Sequence, residues 1–460
     1  MRGHHLQLVR REPDKAYVSD YLWLPKQLIA LDAMKQSLQY FLPKGRTMVL
    51  ERLWDETLHH LIVPREFISP RDYSRYPFQF IDLNPRKFPS SHLHAKITLR
   101  DDRQEQAYTA LSRTPSGLLN LAPGRGKTVL ALKRVADLGC PALIVVHNTY
   151  LYEQWLLRIN QFLSLPPGED VGTIQGDKFD WQHPITIAMI HTLALRAKAD
   201  KIPPEFSRHF GVAFHDEVHH LAAPFFCVTA PLILGHRYGL TATEKRLDGL
   251  EFIYNYHLGP MFYSDMTPEM VPDVYFQQTP VEIDLKDSKV KDVFGEVNIS
   301  KLRSFLGKDP VGNEFRYRCI KEAYDDGRKI LVVGHAKEQL IEMSKLFQDS
   351  GLVIAETPQE DRPDIVTRSR VTFAIARLGI EGLDDPSMDV LFFLTPFSSE
   401  NDLTQAFGRV QRSHGGKKTP IVIVFDDNRV PPLRHLCNKL KKILDRWKYK
   451  YTVLTPPVFV

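Results

Sequence analysis

Between Leu118 and Thr128 the chain reads LLNLAPGRGKT, an apolar run, a glycine-containing turn and the first residues of a helix. The helix continues through Val129-Leu130-Ala131-Leu132-Lys133-Arg134-Val135-Ala136 with apolar residues at helical spacing, and Gly139 and Pro141 supply its stop signal. A buried strand feeding a helix through such a turn is suited to a nucleotide polyphosphate. Glycines allow backbone N–H groups to approach phosphate oxygens, and the helix N-terminus offers its positive end to them. The turn residues Gly124, Arg125 and Gly126 are expected to line the phosphates. Lys127 is expected to neutralise the β/γ-phosphates, and the Thr128 hydroxyl to ligate Mg²⁺. One position departs from the strict G-x-x-x-x-G-K-[ST] pattern, which places glycine where this chain has Leu121.

At 460 residues the chain is long enough for two or three domains. No apolar run approaches the length of a membrane-spanning helix, and Met1-Arg2-Gly3-His4-His5 lacks the apolar core of a secretory signal. The expected location is therefore cytoplasmic, with no membrane partner. Cys140, Cys227, Cys319 and Cys437 lie far apart and form no C-x-x-C pair, which argues against a zinc ribbon or a disulfide framework. The net charge of +5 is unevenly spread: residues 1–100 hold 16 Lys/Arg against 10 Asp/Glu. A basic N-terminal region on an otherwise balanced chain is compatible with a polyanionic partner.

Residues 1–95 form a candidate small α+β unit. Thr47–Leu50 and Leu61–Val63 suggest strands, and Leu28, Leu31, Met34, Leu38 and Phe41 recur at helical spacing before Pro43. Pro64, Pro70, Pro77, Pro85 and Pro89 then punctuate a connector in which Arg65, Arg71, Arg75 and Arg86 interleave with Phe67, Tyr73, Tyr76, Phe78 and Phe80. Such a segment can grip phosphates and stack on bases, which nominates Arg71 and Arg75. It can equally be a linker whose aromatics pack on a neighbouring domain. From about residue 96, strands and helices alternate, the signature of parallel sheets covered by helices. Ala142–Val146, Ile185–Ile190 and Val212–Phe214 belong to a first series spanning 96–267. Lys329–Val333, Val371–Ala376, Val390–Leu394 and Pro420–Phe425 belong to a second spanning 313–460. Residues 268–312 lie between them as a linker or hairpin, with Asp284–Lys308 a candidate for separating strands.

The second informative stretch is Gly211–His220, GVAFHDEVHH. An apolar strand delivers adjacent carboxylates at its C-terminal end, where open α/β sheets bind ligands. Asp216 can hold Mg²⁺ through its water shell, while Glu217 orients and deprotonates an attacking water. A zinc site from His215, His219 and His220 is disfavoured, because the preceding strand breaks the helical spacing it would need.

Asp216-Glu217-Val218-His219 after a phosphate loop resembles the DExH box of superfamily 2 helicases, and further stretches follow in that family's order. Val145–Trp155 is similar to motif Ia, and Val171–Asp177 with Ile185–Ala188 to the motif Ib region. The resemblance implies nucleic-acid contacts at His147, Asn148, Thr149 and Gln175. Gly239–Thr243 resembles motif III, Ile330–Val333 motif IV and Ala376–Asp384 motif V. His219, Thr241, Thr243, Glu381, Gly382 and Asp384 are thereby implied to couple nucleotide state to the nucleic-acid site. Gln405–Arg412 matches motif VI, Q-x-x-G-R-x-x-R. It implies that Gln405 contacts nucleotide and that Arg409 and Arg412, three apart on one helical face, reach the γ-phosphate as arginine fingers. The implied fold is α/β, two tandem RecA-like parallel-sheet domains behind a small basic N-terminal domain, and the implied cofactors are ATP and Mg²⁺.

Within the superfamily, V-G-x-I-Q-G, D-E-V-H-H and the stretch Leu240–Gly249 look most like phage UvsW-type branch-migration enzymes. That implies a DNA helicase acting on Holliday junctions, forks and R-loops as a monomer, in the host cytoplasm if encoded by a phage of the T5-like kind. No obligate protein partner is evident. Two departures stand out. The family's adenine-recognising glutamine falls at Arg103, with Gln104 one residue later, and Glu244 stands where motif III is usually followed by proline. An RNA helicase or remodeller, or a nucleic-acid-binding scaffold with a weak motor, remains open.

Overall fold

The computed structural model describes residues 11–44, 47–165, 168–242, 248–381, 383, 385–397 and 399–455. Thr243, Glu244, Gly382 and Asp384 lie outside the described residues, as does the side chain of Glu381. By internal contacts the chain divides into two units. One comprises residues 1–121 and 126–266, the other residues 122–125 and 267–460.

An eight-stranded sheet forms the centre of the first unit. Its order is Lys178–Asp180, Gly172–Gln175, Ile185–Met189, Ala142–Val146, Val212–His215, His236–Thr241, Ser116–Leu121 and Met261–Asp265. All neighbours are parallel except the first pair. Ala142–Val146, Ser116–Leu121 and Val212–His215 are buried along their whole length. Ala142–Val146 is an unbroken apolar run, and the other two are broken only by the buried Ser116, Asn120 and His215, since helices cover both faces of such a sheet.

Residues 16–82 contribute a five-stranded sheet of their own, ordered Asp55–Glu56, His60–Pro64, Tyr21–Pro25, Ala16–Val18 and Phe80–Asp82. Its residues Leu22, Leu24, Leu61 and Val63 share one apolar core with Leu118, Val145, Phe210 and Ile253 of the larger sheet and its helices. Two buried arginines reinforce the join. Arg237 donates from Nε to the Ile233 carbonyl at 2.7 Å and from Nη2 to the Asp20 carbonyl at 3.0 Å. Arg65 donates to the carbonyls of Leu234 and Gly235 at 2.9 and 3.2 Å and to the Ser116 hydroxyl at 3.0 Å. Arg65 is thus a structural anchor within the connector.

The helix expected across Lys26–Phe41 is shorter. A 3₁₀ turn at Lys26–Leu28 and a helix at Leu31–Ser37 give way to strand Gln39–Lys44, paired antiparallel with Thr47–Arg52. From Leu38 onward, burial falls on alternate residues, Leu38 and Tyr40, and the period of two displaces the helical one. Pro43 is tolerated because it lies in an isolated two-stranded ribbon.

The second unit holds a seven-stranded sheet, parallel throughout, ordered Ser350–Val353, Val371–Ile375, Ile330–Gly334, Val390–Phe393, Ile421–Asp426, Asp273–Gln278 and Tyr451–Leu454. Asp273–Gln278 belongs to this sheet, although its segment reads by sequence as a linker. Its alternating Val274 and Phe276 enter the core. A fully buried ion pair, Arg316 Nη2 to Asp427 Oδ1 at 2.6 Å, ties helix Pro310–Asp325 to the turn after Ile421–Asp426.

His257 is buried beside Arg237, and neither of its ring nitrogens has a hydrogen-bond partner among the described residues. Burial, then Arg237 and His215, lower it to about 3. The unfolded chain binds that proton near pH 6.5 and the folded chain does not. Stability is therefore lost as pH falls below 6.5, at about 1.4 kcal/mol per pH unit for one such histidine. His257→Phe should show a smaller fall in Tm between pH 7 and pH 5 than the parent, measured by circular dichroism; equal falls would assign the acid sensitivity elsewhere.

Candidate nucleotide site

Strand Ser116–Leu121 runs into helix Lys127–Leu138 through Gly124 and Gly126, both left-handed at φ 80 and 84. Gly126 is the N-cap and makes no side-chain cap hydrogen bond, and a helix N-terminus of this kind suits an anion. Leu121, at the position where the pattern expects glycine, remains in the strand opposite Asp265. Its carbonyl accepts a hydrogen bond from Lys127 Nζ at 2.8 Å, so the lysine folds back over the loop. The Lys127–Leu138 helix ends at Gly139 with φ 61.

Gln104 and Arg103 part company. Both open helix Asp102–Arg113, which Asp101 caps by accepting the Gln104 N–H at 2.9 Å. The Gln104 amide faces the loop: a Cβ on Gly126 would come within 2.5 Å of its Nε2. Its Oε1 accepts the Arg100 N–H at 2.9 Å. Arg103 is half-exposed and 3.6 Å from Asp265. Arg125 donates to the carbonyls of Thr267 and Pro268 at 2.9 and 3.2 Å, which directs its guanidinium along the chain.

Strand Val212–His215 lies two places from Ser116–Leu121, with His236–Thr241 between them. Asp216 and Glu217 follow at its C-terminal end, beside Thr241, which pairs with Asn120. Gly239 allows the close approach of these layers: a Cβ there would lie 2.6 Å from Leu118 and 2.8 Å from Val218. Asp216 Oδ2 accepts the Trp155 indole N–H at 2.8 Å, and Oδ1 accepts the Glu217 N–H at 3.0 Å. Burial and the adjacent Glu217 carboxylate push Asp216 up to about 6, against the opposing pull of Trp155 and Lys127. Glu217 sits at φ 46, an uncommon conformation for a side-chain-bearing residue, and His219 Nδ1 lies 3.4 Å from its carboxylate. The oxygen donors Thr128 and Asp216 suit Mg²⁺, which binds through one or two protein oxygens plus phosphates and water. Among the described residues there is no cluster of three His, Cys, Asp or Glu side chains fit to hold a metal. His215 is buried, and His220 stacks on His147 at 3.8 Å.

Of the residues implied to touch nucleic acid, Asn148 caps helix Thr149–Phe162 by accepting the Leu151 N–H at 2.8 Å, and donates toward His147 Nε2 at 2.9 Å. Thr149 is the first residue of that helix, and Gln175 ends strand Gly172–Gln175 half-buried. Arg71 and Arg75 are exposed on the 3₁₀ turn Pro70–Arg75, with Arg75 3.0 Å from Asp72. The connector's aromatics pack on one another, Tyr73 on Phe80 at 3.7 Å and Tyr76 on Phe78 at 5.4 Å.

In the second unit, helix Glu400–Val410 carries Gln405, half-buried, and Arg409, whose Nε and Nη2 donate to the Ile380 carbonyl at 3.0 and 2.6 Å. Arg412 does not share a helical face with Arg409, because the helix ends at Val410. Gln411 becomes its cap, with its amide held by Tyr449 at 2.6 Å. Residues 122–125 group with this unit: a Cβ on Gly408 would meet Pro123 at 2.3 Å, and one on Gly124 would meet the Arg412 side chain at 3.0 Å.

Trp155 is the residue that sequence reading placed differently. It lies within the stretch resembling motif Ia, yet it is buried, with its polar edge on Asp216. An aromatic with one N–H at an apolar helix position was the available signal. Trp155→Phe keeps the ring and removes a hydrogen bond to a charged group, a loss of about 1.5–3 kcal/mol. Lower Tm and nucleotide hydrolysis slowed by about tenfold or more are expected; hydrolysis at the parental rate would show that Asp216 functions without this bond.

Comparison with known proteins agrees with this geometry. The family model described as "Type III restriction enzyme, res subunit" matches residues 96–246. The chain is 27% identical over 344 residues to the "Probable helicase D10" of Escherichia phage T5, covering 71% of each protein. It is 26% identical over 372 residues to the "DNA 3'-5' translocase XPB2" of Sulfurisphaera tokodaii, covering 72% of this chain and 82% of that one. In fold it is similar to S. cerevisiae Dbp5 bound to RNA and ADP BeF3. The TM-score is 0.54 at 11% identity, over 77% of this chain and 89% of that one. With its two sheets, the loop Gly124–Thr128 and the carboxylates Asp216-Glu217, the chain is similar to these named helicases.

Proposed function

We propose that this chain is an ATP-driven DNA translocase that unwinds and branch-migrates branched DNA, including Holliday junctions, forks and R-loops, in recombination, repair or replication. The observation that carries this reading is the convergence, at the C-terminal ends of three neighbouring strands, of the Lys127 loop, Thr241 and the Asp216-Glu217 pair. In this reading Lys127 holds the β/γ-phosphates, and Thr128 and Asp216 hold Mg²⁺, which supplies charge neutralisation when bound. Glu217 orients a water and takes its proton as that water attacks the γ-phosphorus and the bond to ADP breaks. Arg409 and Arg412 supply the cations that meet the charge developing on the γ-phosphate, and Gln405 contacts the nucleotide. Gln104, with its amide against Gly126, is the better placed of the two candidates for adenine. His219, Thr241, Thr243, Glu381, Gly382 and Asp384 couple nucleotide state to DNA grip. His147, Asn148, Thr149, Gln175, Arg71 and Arg75 contribute to that grip, and the chain moves 3′ to 5′ as a monomer. Support for DNA as the track comes from the name of the Sulfurisphaera relative and from the basic first 100 residues.

Glu217→Gln should retain ATP binding while hydrolysis falls by about 10²–10⁴-fold; unimpaired turnover would remove Glu217 as the base. Lys127→Ala should lose nucleic-acid-stimulated hydrolysis with its melting curve unchanged. ATPase stimulation by single-stranded RNA, duplex DNA and a four-way junction, compared side by side, tests the substrate. The four-way junction should stimulate most, and a preference for RNA would replace the DNA reading. Deleting residues 1–95 is unsuitable as a test of substrate choice, because it would strip one wall from the shared core. Arg71→Glu with Arg75→Glu should lower junction affinity, and each phosphate no longer neutralised should flatten the salt dependence by about 0.9 in log–log slope.

A further inference from the structure

Downstream of strand Asp273–Gln278, a short turn-and-helix module presents an aromatic side chain to solvent on a tightly bonded frame. Lys291 and Val297 pair antiparallel. Between them the Asp292 N–H donates to the Glu296 carbonyl at 2.8 Å, and Asp292 Oδ1 accepts the N–H groups of Phe294 and Glu296 at 2.9 and 3.0 Å. Gly295 supplies the left-handed corner at φ 81. The base of the turn is anchored by Val290, fully buried among Val281, Leu302, Leu306, Val430 and Leu433. At the tip, Val293 is 89% and Phe294 78% exposed. A turn this fully hydrogen-bonded holds its tip outward and denies Phe294 the burial, worth roughly 1.5–3 kcal/mol, that a pliant loop would gain by folding it inward.

The same module bears a cationic groove. A cavity of about 750 Å³ opens along helix Ile299–Leu306, lined by Lys289, Ser300, Lys301, Ser304, Phe305 and Lys308 together with Asp309 and Pro310. Lys301 joins groove and turn, because its Nζ donates to the Lys291 carbonyl at 2.7 Å. Four of the module's acids are turned toward the backbone, while Glu296 is exposed. Asp284, Asp287 and Asp292 each accept N–H groups of their own turns, and Asp309 accepts the Gly312 N–H at 2.6 Å. The groove offers the ammonium groups of Lys289, Lys301 and Lys308 and the hydroxyls of Ser300 and Ser304, donors that suit a phosphate backbone, beside the apolar Phe305 and Pro310.

We infer that this module, the turn Asp292–Glu296 together with the Lys289–Lys308 groove, binds a single nucleic-acid strand, the lysines on its phosphates and Phe294 stacked on an unpaired base. The inference rests on the reading of the chain as a nucleic-acid motor and assigns that motor a contact site outside the helicase motifs. The apolar tip is two residues wide, too small for a stable protein interface, whereas a base needs only one ring face.

The test uses the full-length protein without nucleotide and a fluorescent oligo-dT strand, read by anisotropy across a salt series. Phe294→Ala should weaken binding about fivefold or more with the salt slope unchanged, and Phe294→Trp should retain affinity. Lys289→Ala with Lys308→Ala should weaken binding and flatten the log–log salt slope by about 0.7 for each phosphate left without its lysine. All these positions are exposed, so melting should be unaffected. Parental affinity and slope in both sets would overturn the site while leaving the motor reading intact, since DNA-stimulated ATPase of the parent is measured separately. Failure of the parent to bind any strand or to be stimulated would overturn both. Loss of self-association in Phe294→Ala, seen by sedimentation with DNA affinity unchanged, would assign the tip to a second copy of this chain and overturn the inference.

Discussion

Strand His236–Thr241 is hydrogen-bonded on one side to the strand that enters the loop Gly124–Thr128 and on the other to the strand that precedes Asp216. Parallel pairing sets all three C-terminal ends at one edge of the sheet, and the crossovers carry their helices to the faces. The spacing is enforced by the absence of a side chain at Gly239, where Leu118 and Val218 close in from the two neighbouring elements. Glycine at this position therefore does for packing what Gly124 and Gly126 do for backbone conformation. A chain that pairs these strands in register has, with no further adjustment, placed a lysine, a hydroxyl and two carboxylates within one small region.

That edge is held from below by the N-terminal sheet. Arg237 lies in the same central strand and reaches the Asp20 carbonyl, while Arg65 reaches back to Ser116 at the start of the phosphate-loop strand. Guanidinium groups suit this task because several N–H donors in a fixed plane satisfy carbonyls from different elements at once. The cost of burying these charges is offset only while every partner is present, so the small sheet and the large one are thermodynamically one body. The N-terminal region also packs as part of the platform beneath strand Ser116–Leu121.

Both parallel sheets were legible because buried strands such as Ala142–Val146 and Val390–Phe393 carry uninterrupted apolar runs between helical stretches. The turn Gly124–Thr128 and the pair Asp216-Glu217 stand at strand ends because each follows an apolar strand run. Three features were hidden. Arg412 lies past the end of its helix, whose C-cap Gln411 is bonded to Tyr449, a residue distant in sequence. Asp273–Gln278 joins the second sheet although its flanks read as linker, since its partners Ile421–Asp426 and Tyr451–Leu454 lie far along the chain. Trp155 turns its indole to Asp216 across a separation no local pattern records. Each depends on a long-range contact, and periodicity reports only local ones.

The same limit applies to aromatic composition. The connector at 64–90 has the richer mixture of Arg, Tyr and Phe, yet Tyr73 lies flat on Phe80 and Tyr76 and Phe78 close around them, so those rings already have stacking partners. A base competing for them would have to displace an existing contact of similar worth, and its net gain would be small. Phe294 has a sparser setting but keeps its ring in water on a hydrogen-bonded turn. A base arriving there gains the full contact, and the lysines beside it add an attraction that weakens with salt. What distinguishes an interaction surface from a packed linker is therefore whether the free energy of contact has already been spent inside the fold, and burial decides that where composition does not.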